Sequence, residues 1–186
     1  MIDQKEFALN FNGLEVPAAL VKLLDFENAQ GNAYYSAGFE LGCFDKVGLR
    51  SYSENELFLD SIIEFARADG TGSTYGFWLR NNTRDLREAP VIVSGGEGGM
   101  HIVAENIQGL LHILAYDAEP MVSWKKVYYY KNETDHEASP KADAYKKWMS
   151  DYFNAEPAAD ADSIVKSAQE KYEYEFQHWL KGYYAG

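Results

Sequence analysis

The chain has 186 residues, 29 of them acidic and 17 basic, for a formal net charge of −12. Hydrophobic residues make up 46% and aromatics 15%, enough for a packed core and too much for an intrinsically disordered chain. The acidic excess excludes an ordinary basic nucleic-acid binder, because a phosphate backbone would be repelled over most of the surface.

Other features narrow the class further. Cys43 is the single cysteine, so no intrachain disulfide and no cysteine-built zinc site can form. The first residues lack the basic start and apolar stretch of a secretory signal, and no apolar run nears the ~20 residues of a membrane span. The expectation is one cytoplasmic domain over residues 1–186, without a membrane partner.

In chain order, the first element is a short helix. Pro17 suits a first helical position, Val16, Leu20, Leu23 and Leu24 form one stripe, and Gln30-Gly31-Asn32 ends it. Tyr34, Tyr35, Phe39, Leu41 and Phe44 suggest one or two strands interrupted by Gly38 and Gly42. Ser53-Glu54-Asn55-Glu56 matches a capping box ahead of a single helical turn.

The middle is clearest. Ile62 to Arg67 is a β-rich run, Asp69-Gly70-Thr71-Gly72-Ser73 a turn, and Tyr75 to Leu79 a second strand. Pro90 to Ser94 and Met100 to Ala104 make two more, joined by Gly95-Gly96-Glu97-Gly98-Gly99. Four closely spaced strands with tight turns predict an antiparallel sheet. Asn106 caps a helix over Ile107 to Ala115, Val122 to Tyr130 adds an aromatic strand, and residues 131–140 read as surface loop.

Two helices close the chain across 140–184. Tyr145, Trp148, Met149 and Tyr152 mark the apolar face of the first. Val165, Ala168, Tyr172, Phe176, Trp179 and Tyr183 make a continuous stripe on the second, capped by Asp160 or Asp162. A hinge is expected between them over 154–161. The fold class is therefore α+β: a central antiparallel sheet covered on one side by helices, the C-terminal pair included.

Known catalytic and ligand motifs are incomplete. The glycines at 95–99 lack a following Lys-Ser/Thr and precede a strand rather than a helix, which argues for a turn over a phosphate loop. Asp69 opens a loop whose twelfth position is Arg80, the wrong charge for calcium. His101, His112, His136 and His178 have no metal-ligand spacing, and Gly-x-Ser-x-Gly is absent. No cofactor is implied. Glu64, Glu97 and Glu105 lie near strand ends and could act as paired carboxylates on a carbohydrate or other small molecule. In Tyr128-Tyr129-Tyr130, neighbours in a strand face opposite ways, so at least one ring must look outward; Tyr129 is the candidate for partner contact.

The stretch from Ile63 to Trp78, a strand, an Asp69-Gly70 turn with a further glycine at Gly72, then an aromatic strand, resembles the SUKH superfamily. The helix after Pro17, the Pro90-Val91-Ile92-Val93 strand and the helix after Asn106 extend the likeness over residues 14–116. No Trp precedes Pro17 as is usual in the family, and its Asn-Gly after the first helix is here Gln30-Gly31. The family includes a fungal cell-wall-synthesis regulator and many bacterial immunity proteins, and no catalytic residues define it. The resemblance implies an α/β domain that binds another protein, in bacteria often a toxin that it neutralises. The net charge independently favours a basic partner. Asp69 and Glu97, both in turns, are the expected contact residues beside Tyr129, and the carboxylate enzyme is the alternative.

Overall fold

The computed structural model describes residues 1–132, 134–153 and 160–184. Its helices are α1 (Gln4–Ala8), α2 (Ala18–Gln30), α3 (Val47–Arg50), α4 (Glu56–Asp60), α5 (Ile107–Tyr116), α6 (Ala142–Phe153) and α7 (Ala161–Lys181). Its strands are β1 (Glu40–Leu41), β2 (Ile62–Arg67), β3 (Thr74–Trp78), β4 (Val91–Ser94), β5 (Met100–Ala104), β6 (Pro120–Val122) and β7 (Val127–Tyr129).

β1 to β5 form one antiparallel sheet in sequence order, and β6 and β7 form a separate antiparallel hairpin. The predicted four-strand meander is therefore present, and residues 34–60 add only the two-residue edge strand β1. Backbone groups in that region go mainly to turns and to α3 and α4 instead. The capping box is also displaced. Asn55, not Ser53, is the N-cap of α4, its Oδ1 accepting from the Leu57 N–H, while Ser53 Oγ accepts from the Asn55 N–H. At α5 and α7 the expected caps hold: Asn106 accepts from the Gly109 N–H and Asp160 from the Asp162 N–H.

Helices cover both faces of the sheet, which corrects the expectation of one covered side. On the first face Phe7 of α1, Leu20 and Leu24 of α2, Leu110 and Leu114 of α5 and Tyr145 of α6 pack with Phe65, Tyr75, Phe77 and Val93. On the second, Leu49 of α3, Phe58 of α4 and Tyr172 and Phe176 of α7 pack with Ile62, Trp78, Ile92 and Ile102. The C-terminal helices thus part company. α6 joins the first cluster, while α7 starts in it with Ala161 and Val165 and then crosses onto the other face. There Gln169 Nε2 donates to the Ile102 carbonyl, occupying part of the exposed edge of β5. The hinge expected over 154–161 lies, apart from its last two residues, outside the described residues.

Two register shifts decide which side chains reach each face. One lies between Glu64 and Ala66 of β2, the other between Val91 and Ile92 where β4 meets β5. A bulge adds one residue to one strand and so breaks strict alternation. Phe65 and Ala66 consequently both join the first cluster, as do Val103 and Ala104.

Candidate functional site

The turn between β2 and β3 and the turn between β4 and β5 meet at one end of the sheet. The Gly96 N–H donates to Ser73 Oγ at 3.1 Å, and Tyr52 Oη donates to the Gly95 carbonyl at 2.7 Å. Gly98 and Gly99 have φ of +104° and +89°, and a Cβ on either would strike the Ser123–Trp124 tip of the β6–β7 hairpin. These glycines allow close packing of three turn tips, as expected for a turn rather than a phosphate loop. Gly72 also needs a positive φ, +101°, whereas Gly70 has none and open space around its Cα.

Of the three expected contact residues, only Glu97 points to solvent from this end of the sheet. Asp69 is 7% exposed and turned back on its own loop, contrary to the expectation that it reaches outward. Its Oδ1 accepts from the Thr71 N–H, the Thr71 hydroxyl and the Ser73 N–H at 2.8–3.0 Å. Burial opposes its ionisation, but these donors outweigh burial and hold the carboxyl below the usual Asp value. Asp69 shapes the turn. Tyr129 is 4% exposed, and its hydroxyl shares a 2.7 Å hydrogen bond with that of Tyr75 inside the core. Burial pushes both phenols up. The tyrosines do point apart, but with the opposite phase to that expected: Tyr130, at 67% exposure, faces outward, and Tyr129 faces in.

The three carboxylates of the enzyme alternative are not brought together. Glu97 precedes β5 and Glu105 follows it, so the five-residue strand holds them roughly 17 Å apart along its axis. Glu105 is committed to Lys171 at 2.6 Å and Ser167 at 2.9 Å. Glu64 lies buried in β2, accepting from the Thr74 hydroxyl at 2.7 Å; burial raises its pKa despite that bond.

Two concave surfaces that sequence reasoning passed over hold the exposed chemistry. The first, about 690 Å³, lies beside the edge strand β1 and is lined by Glu6, Leu9, Glu40, Phe44, Asp45 and Arg67 among others. Leu9 is 76% exposed at its rim, and Val47, just beyond Asp45, is 65% exposed. Among the described residues only Arg67 pairs with these acids, reaching Glu40 at a long 3.5 Å. Glu6 and Asp45 have no cationic partner there. In the sequence Leu9 and Val47 stand outside any strong periodic stripe, Leu9 three residues after Glu6 and Val47 two after Asp45.

The second is a groove of about 880 Å³ between α4, the 80–84 turn and α7. Its lining includes Leu57, Trp78, Arg84, Glu175, His178 and Trp179. Trp179 stacks on Phe58, with centroids 5.5 Å apart and planes at 14°. Trp179 is one member of the α7 stripe and is half-buried.

No group of three or more His, Cys, Asp or Glu side chains among the described residues is arranged to hold a metal ion. No described helix is long and apolar enough to cross a membrane. Compared with protein-family models, with curated proteins and with solved structures, the chain matches none of them.

Proposed function

We propose that this chain is a non-enzymatic protein-binding domain that captures a basic protein, in the manner of the toxin-neutralising immunity proteins its sequence resembles. The observation that carries the reading is the acidic hollow beside β1. Three carboxylates, Glu6, Glu40 and Asp45, share it with one arginine, and exposed Leu9 flanks them. Uncompensated charge around exposed apolar side chains is the make-up of a steered interface: charge sets the encounter rate and apolar contact holds the complex. β1 is also an edge strand with only two paired residues, so a partner meets no long competing ladder there. The exposed, unpaired Cys43 in the same hollow suits a reducing, cytoplasmic setting.

The binding face moves accordingly from Asp69 and Tyr129 to Glu6, Leu9, Glu40 and Asp45, with Glu97 kept as a separate exposed acid. The test begins with affinity capture from the native host to obtain the partner, followed by association kinetics across a salt series. Wild-type protein should associate faster as salt falls. Glu40→Lys with Asp45→Lys should lower the on-rate about tenfold or more and leave the off-rate little changed. Leu9→Asp should act on the off-rate. An on-rate indifferent to salt and to the charge reversals overturns the assignment of a basic partner. Turnover of a small substrate that Glu97→Gln abolishes, with stability intact, overturns the non-enzymatic reading.

A further inference from the structure

The groove between α4 and α7 has a volume of about 880 Å³, within the usual ~300–1,000 Å³ range of small-molecule sites. Both carboxylates that line it are already engaged: Asp60 with Lys46 at 2.9 Å, and Glu175 with Arg80 at 2.6 Å and Asn81 at 3.3 Å. The two basic side chains that line it, Arg84 and His178, are exposed and have no hydrogen-bond or ion-pair partner among the described residues. In a chain with 29 acids and 17 bases, unpaired acid would be the ordinary finding in a cavity, and here it is unpaired base.

Below them the floor is aromatic. Trp78 and Trp179 lie 5.5 Å apart at 49°, and Tyr183 packs 5.4 Å from Trp179. The floor also carries an uncompensated donor: Trp78 Nε1 is buried with no hydrogen-bond acceptor. A buried donor left unpaired is destabilising, and native structures keep few of them without a reason. The donor is closed to solvent.

We infer that this groove is a binding site for a small organic anion with a flat apolar body, its charge held by Arg84 and His178 and its body set against Trp179 and Tyr183, the half-buried rings of the lining. A guanidinium binds a carboxylate through two parallel hydrogen bonds, which gives direction as well as charge. Aromatic side chains offer flat apolar contact area. This site is separate from the acidic hollow beside β1 and does not depend on the proposed protein partner.

The test uses 1-naphthoate and its neutral isostere 1-naphthamide as probes. Binding is measured by calorimetry, and its location by the indole N–H resonances of the four tryptophans. Naphthoate should bind saturably and about tenfold more tightly than naphthamide, shifting Trp78 and Trp179 while leaving Trp124 and Trp148 in place. Arg84→Gln, an exposed change that leaves the fold intact by circular dichroism, should remove the preference for the anion, and His178→Gln should reduce it. Absence of saturable naphthoate binding at millimolar concentration overturns the inference. So does equal binding of the amide, an unaltered affinity in Arg84→Gln, or shifts confined to Trp124.

Discussion

Glu27 offers the sharpest test of the packing. It sits in α2 with its carboxylate turned toward β1, accepting from the Tyr35 hydroxyl at 2.8 Å and from the Leu41 N–H at 3.1–3.2 Å. Burial outweighs those two donors, and with Glu40 nearby the pKa rises from 4.5 to about 7. A raised carboxyl pKa means the folded state holds the proton more tightly than the unfolded chain. Its contribution to stability is whole below pH 4.5 and is lost as pH climbs through about 7. At ~1.4 kcal/mol per pH unit the full loss is about 3 kcal/mol, and solvent reaching the half-buried side chain trims this to roughly 1–3 kcal/mol.

Glu27→Gln keeps an acceptor and removes the ionisation. Urea unfolding of wild type and variant from pH 5 to 8.5 should give curves that lie close together at pH 5. They should diverge by about 1–2 kcal/mol in the variant's favour above pH 7. Glu27→Ala strands the Tyr35 hydroxyl and the Leu41 N–H and should be less stable than Glu27→Gln at every pH, by about 1–3 kcal/mol. Parallel pH curves for wild type and Glu27→Gln would refute the reasoning, because the carboxyl would then titrate alike in folded and unfolded chains.

Glycine substitutions in the two neighbouring turns should separate cleanly. Gly99→Ala forces a Cβ onto the Ser123 carbonyl at positive φ and should cost about 2–4 kcal/mol, whereas Gly70→Ala, with normal φ and open space, should fall within about 0.5 kcal/mol of wild type in the same melts. The buried hydroxyl pair supplies a double-mutant cycle: Tyr75→Phe or Tyr129→Phe alone should cost about 1–3 kcal/mol by orphaning the other hydroxyl, and the double variant should cost less than the sum. Additive losses would show that the two hydroxyls do not depend on each other. Asp69→Asn should weaken the turn by about 1–2 kcal/mol at neutral pH and converge with wild type in acid, since a carboxyl held below its usual pKa loses its contribution as pH falls through that value.

The sequence by itself determined what short-range physics controls. The strand and turn pattern from Ile62 to Ala104 follows from side-chain alternation and from turn residues acting within a few positions, and the structure has those strands in that order. Asn106 was legible as a cap, and Asp160 as one of two candidates with Asp162, because a short polar side chain satisfies N–H groups two or three residues on. The stripe from Val165 to Phe176 was legible because helical period alone places those residues on one side.

The tertiary structure alone decided where those elements went. A stripe says that a helix buries one face but not against which surface, so α7 crossed to the second face of the sheet while α6 stayed on the first. Alternation fixes that neighbouring tyrosines point apart but not which points inward; Tyr75, distant in sequence, settled that for Tyr129. Asp69 looked exposed because turns usually are, and three donors from its own loop turned it in. The acidic hollow joins Glu6 to Glu40 and Asp45, and the aromatic groove joins Arg84 to His178, across sequence separations that no local pattern spans. Which charges remain unpaired depends on every neighbour within a few ångströms, and those neighbours are chosen by packing of the whole chain.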